Sequence, residues 1–228
     1  MAERLLADVL LVFLKEPRPG AVKSRLAARI GPEKAATVYR AVADEGIRRT
    51  APRRDEYERR FLFDPPDARP RIERWLPAQM LLPQGDGDLG ERMARAIADA
   101  FARGARRAAV IGTDVPWIAR EDVLDALESL DDHDVAVGHA TDGGYYLLAL
   151  KRPEPELFRD IPWSTPQVLA VTLDRAARLG RGVRVLRTLG DVDTAEDLAA
   201  DWGRLAPILP APLRRELAQV LGKAEPPA

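Results

Sequence analysis

Val9-Leu10-Leu11-Val12-Phe13-Leu14, running straight into Lys15-Glu16-Pro17-Arg18-Pro19-Gly20-Ala21-Val22-Lys23-Ser24-Arg25, is the passage that decides the fold. Six consecutive apolar residues read as a strand buried on both faces. The chain then breaks into a proline- and glycine-containing loop. It continues as helical sequence over about residues 25–49, nicked at Gly31-Pro32. A strand, a loop and a helix in that order form the opening unit of a parallel α/β sheet.

The same alternation continues outward. Residues 60–63 and 80–82 read as strands. Leu89, Met93, Ala96, Ile97, Ala100 and Phe101 share one helical face, with Asp88 as the expected N-cap and Glu91 three residues on. Residues 108–112 form a strand and 121–130 a helix. Residues 134–138 and 145–150 form two strands around a turn at Asp142-Gly143-Gly144. Ser164-Thr165-Pro166-Gln167 opens a helix, 183–186 is a strand, 194–202 is helical, and 212–221 is a last helix before a proline-rich tail. The expectation is a single-domain, three-layer α/β/α sandwich with a mostly parallel mixed sheet. It occupies residues 1–205, with residues 206–228 as a helical extension and tail.

Composition narrows the function. Hydrophobic residues make up 46% of the 228, enough for a sizeable core. Thirty-five basic against 36 acidic residues lack the basic excess of a nucleic-acid binder. The absence of cysteine excludes disulfides, thiolate metal sites and thiol nucleophiles. The apolar run at residues 5–14 is interrupted by Asp8 and lacks a cleavage site, and nothing reaches the length of a membrane span. A cytoplasmic enzyme is expected. Its lysines number only five: Lys15, Lys23, Lys34, Lys151 and Lys223. Two of them fall in the first loop.

Ligands of open α/β sheets bind beyond the carboxyl ends of the strands. Four segments lie there. In the first loop Gly20 permits close backbone approach, Lys15, Lys23 and Arg25 add positive charge, and helix N-terminal N–H groups favour anions. That makes a phosphate cradle, although without Walker spacing; the plainer reading is a solvated basic loop. Gly112-Thr113-Asp114-Val115-Pro116 places Asp114 after a central strand, as a magnesium ligand or as a turn cap. Asp142-Gly143-Gly144 is either a hairpin turn or a glycine-lined wall for substrate. Asp191 and Asp193 face one direction if extended, and either could complete a metal site; the alternative is helix capping by Asp193 or Thr194. Gly85-x-Gly87-x-x-Gly90 matches a dinucleotide fingerprint, but Asp86 and Asp88 carry the wrong charge for a pyrophosphate, and no acid follows near residues 103–107.

Taken together, these motifs resemble the rSAM/selenodomain-associated transferase 1 family. The resemblance runs through Phe13-x-Lys15-x-Pro17-x-Pro19-Gly20-x-x-Lys23-Ser24-Arg25-Leu26, then Gln84-Gly85-x-Gly87-Asp88-Leu89-Gly90-Glu91-Arg92-Met93. It continues in Gly112-Thr113-Asp114-x-Pro116, Asp142-Gly143-Gly144-Tyr145-Tyr146, Trp163-Ser164-Thr165 and Asp191-x-Asp193-Thr194. It implies a glycosyltransferase-A (nucleotide-diphospho-sugar transferase) type fold, within a superfamily that includes sugar-phosphate nucleotidyltransferases. In such enzymes the first loop grips nucleotide phosphates, an aspartate matching Asp114 binds magnesium, and a late acidic segment completes the site. The D-x-D metal motif of the glycosyltransferases is reduced here to Asp114 alone, so its partner is expected from Asp191 or Asp193.

The expected function is therefore a magnesium-dependent transferase, with manganese as the alternative ion. Its donor would be a nucleoside phosphate and its acceptor a small molecule. Nucleotidyl transfer from a nucleoside triphosphate to a phosphorylated acceptor leads; glycosyl transfer from a nucleotide-sugar is the alternative. Lys23, Arg25 and Asp114 are the expected catalytic residues. Lys15, Gly20, Ser24, Gln84, Gly85, Gly87, Asp142, Gly143 and Gly144 join Lys23 and Arg25 in substrate binding, and Asp191 and Asp193 join Asp114 at the metal. Two further readings are a non-catalytic nucleotide-binding regulator and an NAD-binding oxidoreductase.

Overall fold

The computed structural model describes residues 7–224. Leu5 and Leu6 of the N-terminal apolar run, and the expected proline-rich tail from residue 225, lie outside the described residues. The elements follow in the order β1 (Val9–Lys15), α1 (Ser24–Ile30), α2 (Pro32–Arg49), β2 (Glu58–Asp64), α3 (Arg69–Trp75), β3 (Leu81–Pro83), α4 (Leu89–Ala102), β4 (Ala108–Ile111) and α5 (Arg120–Ser129). Then come β5 (Val135–Ala140), β6 (Tyr145–Leu150), α6 (Val168–Arg178), β7 (Val183–Leu189), α7 (Ala195–Ala200), α8 (Trp202–Leu205) and α9 (Ala211–Leu221).

Seven strands form one mixed sheet in the order β3-β2-β1-β4-β6-β5-β7. β1 pairs in parallel with β2 and β4, β2 with β3, and β5 with β7; β6 runs antiparallel to both its neighbours. Period-two alternation distributes β1 between two cores. Leu10, Val12 and Leu14 face one layer, with α2, α3, α5 and the C-terminal helices. Val9, Leu11 and Phe13 face the other, with α4 and α6. Each fully buried Leu or Val contributes about 1.5–3 kcal/mol of transfer free energy. β1, apolar on both faces, is thereby fixed at the centre, and the protein is a single three-layer α/β domain. No helix among the described residues is long and apolar enough to cross a membrane.

Local chemistry explains the boundaries. Gly31, at φ 89°, closes α1 and opens α2, with Pro32 in the first turn. Asp88 and Glu91 form a reciprocal capping box on α4, each accepting the other's backbone N–H at 2.9 Å. Three features depart from expectation. α3 was not anticipated: it has two turns and only Ile72 and Trp75 inward, too short for a clear period. α6 begins at Val168, because Ser164 is left-handed (φ 62°) and Thr165 Oγ1 donates to the Pro162 carbonyl at 2.7 Å, making a turn first. β7 continues to Leu189, held by β5, which brings the acidic segment directly off the strand end.

At β1 the chain order reverses. Successive strands run outward to β2 and β3, then return to β4 on the other side of β1. The crevice beyond the carboxyl ends of β1 and β4 is the place where such sheets bind ligands. The turn between β5 and β6 lies at the same end, because β6 is antiparallel.

Candidate functional site

The first loop is pinned at both ends before it reaches the crevice. Tyr39, on α2, accepts the Lys15 backbone N–H at 2.8 Å and shares a hydrogen bond of 3.0 Å with Thr113 Oγ1, tying the ends of β1 and β4 together. Burial, reinforced by the charge of Asp114, pushes the Tyr39 phenol far above its usual range, so it stays neutral. Glu16 is buried under Arg71, which donates to both its carboxylate oxygens. Gly20 sits at the apex with φ 78° and open space around it. Val22 and Leu26 are buried on either side of Lys23 and set how deep the loop descends.

Lys23 is the most constrained residue of the loop. It caps α1 in the left-handed conformation (φ 51°, ψ 49°), which non-glycine residues seldom adopt. Its side chain is 2% exposed. The ammonium is in ion-pair contact with Asp114 Oδ1 and lies 3.5 Å from Asp193 Oδ1. Arg25 contacts the other oxygen of Asp193. Ser24 and Lys15 are exposed nearby on the same loop. Three segments far apart in the chain thus converge on one charge cluster.

A backbone bond holds the acidic segment in register. The Val192 N–H donates to the Asp114 carbonyl at 3.1 Å, and the Val192 side chain is fully buried. Asp193 does not cap α7. Thr194 does, in a capping box with Asp197, whose Oδ2 also accepts the Asp193 N–H at 3.0 Å. The Asp193 side chain therefore remains available to the two cations. Asp191 is half-buried; desolvation and the neighbouring charge of Asp142 raise its carboxyl above the ordinary range, partly offset by Lys23.

The Gln84-to-Gly90 segment forms another wall, saturated by its own side chains. The Gln84 amide donates to the carbonyls of Leu14 at 3.1 Å and Leu62 at 3.0 Å, bracing β1 against β2. Gly85 and Gly87 have positive φ, and the Arg92 and Arg95 guanidinium groups bond the carbonyls of Gly87 and Asp86. On the opposite side, the Asp142 side chain accepts the Gly144 N–H at 2.9 Å. Gly143 (φ 89°) lies so close to Pro166 that a Cβ would fall 2.7 Å from the proline Cα. This turn is therefore both a hairpin and a packed surface. Behind it the Tyr145 and Trp163 rings meet edge-on at 6.3 Å, and neither the Tyr145 hydroxyl nor the Trp163 indole N–H, both buried, has a hydrogen-bond partner among the described residues. His139 is occupied by Thr188 at 3.1 Å.

Among the described residues no group of three carboxylate or imidazole side chains converges as a closed metal cage. The Asp114 and Asp193 pair, held within reach of one ammonium, suits a cation that takes one or two carboxylates and completes its shell with water and phosphate oxygens. Tyr39 and Val192, which fix the geometry, carried no signal in the sequence beyond an apolar helix face and a lone valine between two aspartates.

The family described as "Uncharacterized protein conserved in bacteria (DUF2064)" matches residues 47–165. No curated protein matches the sequence. A protein of Desulfovibrio desulfuricans, provisionally designated a nucleotide-diphospho-sugar transferase, is 32% identical, with 96% of this chain and 98% of that one aligned at a TM-score of 0.86. A CMP:2-keto-3-deoxy-manno-octonic acid synthetase in complex with CTP shares the fold at a TM-score of 0.50 and 16% identity, covering 93% of this chain and 99% of that one. A 4-diphosphocytidyl-2C-methyl-D-erythritol synthase of Anaerococcus prevotii does so at a TM-score of 0.53 and 10% identity, covering 85% and 95%.

Proposed function

This chain belongs to the DUF2064 family, and from that premise we propose that it is a magnesium-dependent transferase using a nucleoside-phosphate donor, in the first place a nucleotidyltransferase acting from a nucleoside triphosphate on a small phosphorylated acceptor. The observation that carries this reading is the convergence of Lys23, Arg25, Asp114 and Asp193 at the crevice between β1 and β4. Its two carboxylates suit a hard divalent ion, and its two cations suit phosphates. The designation of the Desulfovibrio protein and the CTP bound by the synthetase of like fold support a nucleotide donor. The nearer kinship proposed is with the rSAM/selenodomain-associated transferases. In this reading residues 1–205 are a cytoplasmic transferase domain, and the stretch from 206 is an extension packed on it.

Magnesium, or manganese, held by Asp114 and Asp193 would neutralise the donor phosphates when bound. Lys23 and Arg25 hold the phosphate oxygens of the leaving group, Arg25 in bidentate fashion. Lys15 and Ser24 add contacts from the same loop, and Gly20 leaves the backbone open to them. Gln84, Gly85 and Gly87 line the base side, and Asp142, Gly143 and Gly144 the acceptor side. Asp191 is the reserve carboxylate. An acceptor phosphate oxygen attacks the α-phosphorus, the bond to the β-phosphate oxygen breaks, and pyrophosphate leaves with its electron pair. Positioning and fixed charge supply the acceleration.

Glycosyl transfer is the second reading, favoured by the designation of the Desulfovibrio protein. It uses the same phosphate site and releases a nucleotide in place of pyrophosphate. A thermal-shift panel of nucleoside triphosphates and nucleotide-sugars, each with and without magnesium, tests the proposal, since a bound ligand raises apparent stability by mass action. A shift that requires both nucleotide and magnesium is expected. A shift with NAD alone, or none with any nucleotide, overturns it.

A further inference from the structure

Lys23 has a feature that phosphate binding alone does not require. Its ammonium is buried, in contact with one carboxylate and 3.5 Å from a second. Burying an ammonium is costly even when it is paired. The left-handed backbone and the buried Val22 and Leu26 hold it there nonetheless. Asp114 is the outer member of the cluster, with its side chain 56% exposed, and Asp193 is 24% exposed. The positive charge therefore sits beneath the two carboxylates, at the point where their fields add.

We propose that Lys23 is a resident counter-ion that competes with a divalent cation for Asp114 and Asp193 and so keeps the site's affinity for free metal low. The inference rests on the metal-dependent reading of this site. Its consequence is an order of binding: metal enters effectively when an anionic ligand offers the ammonium a better partner. Arg25, tied to the far oxygen of Asp193 and 67% exposed, does not block the same point.

The test uses manganese alone, without nucleotide, on the full chain. Isothermal titration should show Lys23→Gln binding manganese about tenfold or more tighter than the unmodified protein, a usual size for coupling between competing ligands. Equal or weaker binding by the variant overturns the competition while leaving a metal site in place. Absence of manganese binding by both proteins overturns it together with the metal reading. If Lys23→Gln does not fold, the unmodified protein decides. With only five lysines, amine acetylation can be followed residue by residue. Millimolar manganese should raise the acetylation rate of Lys23 several-fold against Lys34, whose side chain is 39% exposed; an unchanged ratio overturns the proposal.

Discussion

Replacing Asp193 by asparagine removes the charge that Lys23 and Arg25 share while keeping the side chain's shape. The Lys23 ammonium lies 3.5 Å from Asp193 Oδ1, a gross attraction of about 5 kcal/mol at an effective dielectric of about 20. Most of that is offset, because Lys23 retains its contact with Asp114 and the neutral variant no longer carries the desolvation cost of Asp193. The Arg25 contact, with a guanidinium 67% exposed, adds at most about 1 kcal/mol. A net loss of about 1–3 kcal/mol is expected, which lowers Tm by roughly 2–12 °C in a chain of this size. Thermal unfolding at low salt and at about 0.5 M salt separates the two contributions, since screening removes the exposed pair and spares the buried one. The freed cations should also bind inorganic tripolyphosphate more tightly in the absence of metal. A Tm change under about 1 °C together with unchanged tripolyphosphate affinity would refute the charge cluster as drawn.

Three further outcomes follow from the same structure. Asp8 is buried, which raises its pKa, but hydrogen bonds from Arg107 and Arg106 outweigh this and hold it below the usual range. Its stabilising contribution is thus present above about pH 4 and lost as pH falls through the depressed folded value. Asp8→Asn should cost about 3 kcal/mol at pH 7, and the urea midpoints of the two proteins should converge as pH falls below the ordinary carboxylate range. Gly143→Ala, with positive φ and no room beside Pro166, should cost at least about 1–3 kcal/mol, whereas Gly20→Ala, with positive φ but open space, should cost about 1 kcal/mol; denaturant titration ranks them. Gln84→Ala removes two buried hydrogen bonds to strand carbonyls and should cost about 1–3 kcal/mol, seen in the same assay.

Much of the fold was legible because its signals are local. The nick at Gly31-Pro32, the capping box of Asp88 and Glu91 and the six apolar residues of β1 are each decided by neighbours in sequence. The antiparallel insertion of β6 between β4 and β5 was not, since strand partners are chosen by packing across the whole sheet. The site divides the same way. Lys23, Arg25, Asp114 and Asp193 stand out by residue type and by position at strand ends, and the structure brings these four together. That Lys23 is buried, that Thr194 and Asp197 cap α7 and leave Asp193 free, and that Val192 bonds Asp114 all depend on contacts between distant loops. Gln84 was legible as a polar residue at a strand end, but that its amide hydrogens are both given to the Leu14 and Leu62 carbonyls depends on the strand pairing and was not.

The most direct test of the central claim is calorimetric binding of a nucleoside triphosphate to the unmodified protein and to Asp114→Asn, with magnesium present and absent. The account predicts that magnesium tightens binding to the unmodified protein by about tenfold or more and that this dependence disappears in Asp114→Asn. Equal affinity with and without magnesium in the unmodified protein would contradict it.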